Sequence, residues 1–445
     1  MASWAWYSGA RFDGSVFRIE AMRYDAGPAC SWTHGGRSCK APSCKALLLR
    51  CDRRIVSKAK TYDVLVVGAG VFGAWTALQL ARRGQSVLLI DAYGPGNSRA
   101  SSGGESRIIR MGYGADELYT RWAVRSLVRW KEMFAETANS SALFHETGVL
   151  WLGSKEYARL NEMTAVLKRC KVPFESLSSS AIVQRYPQFS SHDLGAGILE
   201  TESGVLMARR AVATVVEEAL SLEVEYRQAL VSPPQAADAQ SAGLNAISTS
   251  DGEKISAGQF VFACGAWLGK IFPEILGSRI FSSRQEVFFF GVPPGDSQFS
   301  APSLPTWLIQ SDEVYGVPDL ESRGFKIAFD SHGERVDPDA QTRVVSAESI
   351  ERVRAYVAKR FPALANAPIV ETRVCQYENT SNGDFLIDRH PEINNVWFAG
   401  GGSGHGFKHG PAFGEYLAQQ ILDGGPAEPR FSLASKATEQ KRAVY

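Results

Sequence analysis

Thr61-Tyr62-Asp63-Val64-Leu65-Val66-Val67-Gly68-Ala69-Gly70-Val71-Phe72-Gly73 is the stretch that decides the fold. Tyr62–Val67 is a short β-branched run of the kind that forms a buried parallel strand. Val71–Arg83 then has helical spacing and runs into Gly84, a natural C-cap. Ser86–Ile90 reads as a second buried strand. The whole β-α-β unit takes roughly thirty residues, the length a right-handed crossover needs.

The turn inside this unit fits G-x-G-x-x-G, and each position has a physical reason. Gly68 permits the tight turn, Gly70 lets the backbone approach a pyrophosphate, and Gly73 lets helix and strand pack closely. Val71 and Phe72 open the helix, whose N-terminus offers free N–H groups and a positive dipole end to phosphates. Asp91, closing the second strand, can accept hydrogen bonds from ribose hydroxyls, and its charge would repel the extra phosphate of an NADP-type ligand. The motif indicates an adenine dinucleotide and does not separate NAD from FAD.

Further strands of the same kind lie far along the chain. Arg209–Leu222 reads as a helix followed by a strand at Glu223–Tyr226. Gln259–Cys264 is an apolar strand running into Gly265-Ala266-Trp267, and Val396–Ala399 another, followed by a glycine cluster and a helix over Ala412–Leu422. The intervening segments are richer in Phe, Pro and alternating patterns, as in Arg284–Phe290 and Phe325–Phe329, which suggests a largely antiparallel second sheet. The fold class expected is α/β: a Rossmann-type dinucleotide domain built from residues 61–145, 200–280 and 370–425, interleaved with a substrate domain of 146–199 and 281–369. A C-terminal tail, 426–445, completes it.

A net charge of +1 gives no overall field for nucleic acid or an anionic membrane, and 44% hydrophobic with 21% charged residues is ordinary for a globular chain. No apolar run approaches the roughly 18–20 residues a membrane span needs. Residues 1–60 are basic, rich in Gly, Ser, Trp and Cys, and without periodicity; they read as a disordered extension or a leader. An organelle-import leader is the other reading, weakened by Asp13, Glu20 and Asp25. Cys30, Cys39, Cys44 and Cys51 lack C-x-x-C spacing, so no zinc site or other metal site is expected. The scattered Cys170, Cys264 and Cys375 favour a reducing, cytoplasmic setting.

Two stretches near the C-terminus carry the chemistry: Cys375-Gln-Tyr377-Glu-Asn-Thr380, and Gly400-Gly-Gly-Ser403-Gly404-His405-Gly406-Phe-Lys408. A nucleotide-binding start and a glycine-rich, cation-tipped finish indicate one cofactor gripped from both ends of the sequence. Ser101–Arg110 is a small polar loop running into Arg107 and Arg110, which share a side if the segment is helical. Arginine pairs offer bidentate forks for carboxylates, and a solvated basic turn is the equal alternative.

On these residues the chain, from about Tyr62 to its last helix, resembles the FAD-dependent amine oxidases of the D-amino-acid oxidase superfamily, the sarcosine-oxidase-like branch above all. The resemblance rests on Arg107-Ile-Ile-Arg110, Cys375-x-Tyr377-x-x-Thr380, Phe385-x-Ile387-Asp388-x-His390-Pro391 and Ser403-Gly404-His405-Gly406-Phe407-Lys408. It implies FAD bound covalently through Cys375. Gly68, Gly70, Val71, Phe72, Gly73, Asp91, Ser106, Arg107, Gly265, Trp267, Ser403, Gly404, His405, Gly406 and Lys408 are its implied cofactor contacts. It implies that Arg110 and Lys408 bind the substrate carboxylate and that Tyr315 and Tyr377 line the substrate cavity. Lys326 is implied to sit over the flavin and promote reaction with oxygen, where a pre-placed cation stabilises the anion formed. Read alone, a lysine in an apolar strand equally fits a surface residue with its head in water.

The chain departs from that pattern at Asp330 and Gly103, where sarcosine oxidases have histidines. A carboxylate at Asp330 would attract a cationic amine and repel an acidic one, and His332 would share its face in a strand. The implied activity is oxidation of a secondary amine, an N-methyl or cyclic amino acid, to an imine with O2 reduced to hydrogen peroxide; the alternatives are an amine dehydrogenase that passes electrons to another acceptor and a non-catalytic flavoprotein subunit. The implied partners are a small amino-acid-like substrate and O2, with no nucleic acid or membrane, and the protein is expected to act as a monomer.

Overall fold

The strand Thr61–Val67 is the centre from which a computed structural model of the chain is best followed. The structure describes residues 60–137, 143–154, 158–234, 239–240 and 243–437. The expectations for residues 1–59, including their cysteines, and for the last residues of the tail lie outside these. On one side of Thr61–Val67 lie Val87–Asp91 and then Glu225–Gln228, and on the other Lys254–Phe262 and then Val396–Gly400. All of these pairs are parallel. Leu386–Arg389 and Ala246–Ser248 add antiparallel edges. Val64–Val67 is buried throughout, which is why it reads as an unbroken apolar run.

The first helix spans Val71–Arg82, and its end is closed by Gly84 at φ +77°. It packs against the helix Gly410–Leu422. Gly410 and Gly414 lie four residues apart on one face of that helix. A Cβ on them would stand 2.6 Å from Val71 Cγ2 and 2.7 Å from the Trp75 carbonyl carbon. Phe72 stacks on Phe413 at 3.8 Å. Filling either glycine would overpack this contact, at a cost of about 1–3 kcal/mol, and would shift the start of the first helix.

The second sheet has eight strands. Its order is Ile369–Thr380, Ile280–Phe290, Phe325–Phe329, Val314–Val317, Thr306–Ile309, Val149–Gly153, Ala196–Glu200 and Phe174–Ser178. Every pair is antiparallel except Thr306–Ile309 with Val149–Gly153. The expected boundary at 370 falls at the head of Ile369–Thr380, which pairs with Ile280–Phe290 in this sheet.

The period-2 alternation of strands sorts the second sheet into two faces. Phe288, Trp307, Ile309, Val314, Phe325 and Ile327 pack into a core with Val353 and Val357 of the helix Ala347–Arg360. Their neighbours Val287, Leu308, Tyr315, Lys326 and Ala328 face the other way, into a cavity. A lysine between two buried apolar residues is thereby forced onto the cavity face.

The segment carrying the two arginines is not helical. Arg107–Ile109 is a strand that pairs with Gly204–Leu206, which also pairs with Phe144–His145. Arg107 and Arg110 therefore do not share a helix face, although both line the cavity. Residues 429–436, in the expected tail, fold back onto the body: Phe431 is fully buried and Ser381 Oγ donates to the Lys436 carbonyl at 2.8 Å. Among the described residues no helix is long and apolar enough to cross a membrane.

Candidate active site

Between the two sheets, within the single compact unit Ser57–Tyr445, lies a cavity of about 540 Å³. Gly68, Gly70, Val71, Phe72 and Asp91 line it from the parallel sheet. Lys326, Tyr315, Cys375 and Tyr377 line it from the antiparallel sheet, and Gly404, His405, Gly406 and Lys408 from the glycine-rich loop. Ser106, Arg107, Arg110, Gly265, Trp267 and Asp330 also reach it. Two expected contacts do not. Gly73 is a packing glycine, its Cβ position 1.8 Å from the Gly68 carbonyl oxygen. Ser403, at φ +41°, turns its hydroxyl to the Gly401 carbonyl and accepts from the Thr380 amide at 3.2 Å. It shapes the loop from behind.

The glycine-turn end is held by backbone amides donating to two side chains. Ser102 Oγ accepts from the Val71 amide at 3.1 Å, and Asp91 Oδ2 accepts from the Ala69 amide at 2.8 Å. Asp91 Oδ1 accepts from the Tyr93 and Gly94 amides at 2.8 and 2.9 Å. Asp91 thus ties the glycine turn to the next loop. Burial pushes its pKa up, against the pull of these three amides. A Cβ at Gly70 would meet only Ser102 Oγ, at 3.5 Å, so its open side is the cavity itself.

At the second station Arg107 Nη2 donates to the Ser101 carbonyl at 2.6 Å and stands 3.5 Å from Cys375 Sγ. Lys326 Nζ donates to the carbonyl and hydroxyl of Ser106, both at 2.9 Å. Burial, and then the charge of Arg107, hold the Lys326 amine well below its usual pKa. Its ammonium lies 5.9 Å from the centre of the Tyr315 ring. Burial, then the charge of Asp330, raises the Tyr315 hydroxyl to about 12.

At the third station Arg110 stacks its guanidinium between the rings of Tyr113 and Trp151, at 4.6 and 4.8 Å. Lys408 Nζ donates to Tyr113 Oη and to the His405 carbonyl, both at 2.8 Å. Tyr113 Oη also meets His405 Nδ1 at 3.1 Å and His409 Nε2 at 2.7 Å. Burial, then Arg110, depresses Lys408, and both histidines are pushed well below their ordinary range, so they are neutral. Glu200, fully buried, accepts from the Met111 and Gly112 amides and from Trp151 Nε1 at 2.7–2.8 Å. It fixes the backbone that carries Arg110.

Asp330 Oδ1 accepts from Tyr377 Oη at 3.0 Å, and the His332 ring lies 6.3 Å from that of Tyr377. Both departures from the sarcosine-oxidase pattern therefore have a local reason or role. Asp330 faces the cavity, and a side chain at Gly103 would strike the Asn97 carbonyl oxygen at 1.9 Å.

Sequence reading missed Tyr113, Glu200, His409 and Glu378. The i, i+4 pair His405 and His409 was a visible signal, as was Glu378, a carboxylate inside a strand that ends buried. Tyr113 and Glu200 had none, because their roles come from contacts made across the fold.

A cavity of about 540 Å³ with a glycine turn at one region and buried basic side chains at another is what a nucleotide-cofactor oxidoreductase needs. The chain belongs to the FAD dependent oxidoreductase family, matched over residues 63–420. It is 32% identical over 372 residues to the monomeric sarcosine oxidase of Bacillus sp. (strain B-0618), covering 82% of this chain and 93% of the relative. It is 27% identical over 370 residues to the N-methyl-L-tryptophan oxidase of Salmonella heidelberg (strain SL476), covering 82% and 96%. The solved L-proline dehydrogenase from P. horikoshii shares the fold at a TM-score of 0.73, with 20% identity, over 86% of this chain and all of that one. The residues fit FAD: an open glycine turn, a continuous cavity, and a buried carboxylate oxygen of Glu378 without a partner.

Proposed function

We propose that the protein oxidises a secondary amine, an N-methyl or cyclic amino acid, to an imine, and passes the electrons to O2 to give hydrogen peroxide. The observation that carries this reading is one cavity lined by Arg110, Lys408, Lys326 and Cys375 together. Support also comes from relatives named as sarcosine and N-methyltryptophan oxidases.

FAD, when bound, supplies the hydride acceptor and the route for electrons to oxygen. The chain supplies position and charge. Arg110, fixed between two rings, offers a bidentate fork to the substrate carboxylate, and Lys408 a point charge beside it. An arriving carboxylate favours the charged form of Lys408, which burial disfavours. Tyr315 and Tyr377 give hydroxyls along the amine's flank, and Asp330 disfavours an acidic side chain. Arg110, Lys326 and Lys408 are buried, at 2–3% exposed, so their charges act at low dielectric. Lys326 offers its proton and charge to the anion that oxygen becomes. Cys375, beside Arg107, is the attachment point for the flavin. The protein acts as a monomer in the cytoplasm.

The test is to assay peroxide against a dye acceptor with a panel of N-methyl and cyclic amino acids. Peroxide formation at turnover rate is expected. Turnover with dye and none with oxygen would make the protein a dehydrogenase. Acid-precipitated protein should stay yellow, and Cys375→Ala should release the flavin to the supernatant.

A further inference from the structure

Glu378 lies on the strand Ile369–Thr380, one residue past Tyr377, and plays no part in the chemistry above. It is 6% exposed and lines the cavity. Its Oε1 has no hydrogen-bond partner. Burial raises the carboxyl to about 7, against the pull of the Gly401 and Gly402 amides. The fold makes room for it: a Cβ at Gly400 would stand 2.4 Å from Oε1. A buried carboxylate oxygen left without a donor is costly, so its retention points to a donor that arrives with a ligand.

Its place along the cavity says which part of the ligand. On one side is Cys264, whose thiol is pushed up by burial and then by the charges of Asp91 and Glu378, so both carboxylates lie near it. Cys264 also abuts the phosphate turn, its Cα 3.4 Å from a Cβ built on Gly68. On the other side are Tyr377 and Cys375, earlier on the same strand, at the station of Lys326 and Arg107. Glu378 therefore sits between the phosphate turn and the ring station. The part of FAD that spans that interval is the polyol chain, which is rich in hydroxyl donors. A phosphate there would repel the carboxylate.

We propose that Glu378 is a cofactor-binding residue whose carboxyl accepts a hydrogen bond from a hydroxyl of the flavin's polyol chain. The test uses the full-length Cys375→Ala protein, freed of flavin, titrated with FAD, riboflavin and lumiflavin by quenching of ring fluorescence. Lumiflavin carries the ring without the polyol. Adding Glu378→Ala should weaken FAD and riboflavin about 10–100-fold, the size of a hydrogen bond to a charged group, and leave lumiflavin unchanged. Glu378→Met, of similar shape and without an acceptor, should give the same result and serves if the alanine variant does not fold. Unchanged FAD affinity in either variant would overturn the proposal. So would an equal loss for lumiflavin, since the partner would then be on the ring.

Discussion

Two buried lysines face one cavity, and their surroundings differ. Lys326 is anchored on Ser106 with Arg107, and then Arg373 and Arg323, opposing its charge and Cys375 favouring it. Lys408 is held by a tyrosine and a carbonyl between two neutral histidines, with Arg110 opposing its charge and Asp330 and Glu200 favouring it. Both amines are depressed by burial, so each gains most from an anion that arrives. The Lys326 station suits a small transient anion, because its cations are already crowded. The Lys408 station suits a carboxylate that stays, because Arg110 presents a fork beside it.

The largest effect that would break this contrast is at Lys326. Lys326→Met should slow reoxidation of the reduced flavin by oxygen about 10²–10³-fold, with reduction by substrate nearly unchanged, as read by stopped-flow absorbance. Equal slowing of both half-reactions would erase the distinction between the two lysines. Next come Arg110→Gln and Lys408→Gln, which should raise the KM for carboxylate substrates by about 10–100-fold and spare the oxygen step. Arg110→Gln should be the worse, since it also loses the stacking against Tyr113 and Trp151.

The third effect is on pH dependence. The pKa of Lys408 is lowered in the free protein and rises when a carboxylate binds, so the complex holds the proton more tightly. Binding of a simple carboxylate inhibitor such as acetate should be strongest below the free-protein value. It should weaken by at most about tenfold per pH unit as pH rises above it, until the value in the complex is passed. Lys408→Gln should flatten that slope. The smallest effect is at Asp330, where Asp330→Asn should improve acidic side chains relative to basic ones by about 1 kcal/mol, some fivefold in kcat/KM.

The parts of this site legible in the sequence are those whose signal is local. The glycine turn at 68–73 and its flanking strand and helix follow from composition and period alone. The cavity-facing role of Lys326 follows from alternation once Phe325–Phe329 is known to be a strand. The arginine pair shows where local reading fails. Arg107–Ile109 is a strand because Gly204–Leu206, almost a hundred residues on, pairs with it, and nothing between 101 and 110 records that partner. Asp91 reads as a ribose ligand from its position, while its carboxylate is engaged by the Ala69, Tyr93 and Gly94 amides. The Tyr113–His405–His409 cluster joins two stretches nearly three hundred residues apart, so only the fold brings it together.

The most direct test of the account is an anaerobic titration of the yellow protein with N-methyl and cyclic amino acids, followed by flavin absorbance. Bleaching by at least one such amine, lost or strongly weakened in Arg110→Gln, is the predicted result. A flavin that stays oxidised with every member of the panel, or that bleaches equally well in Arg110→Gln, would contradict it.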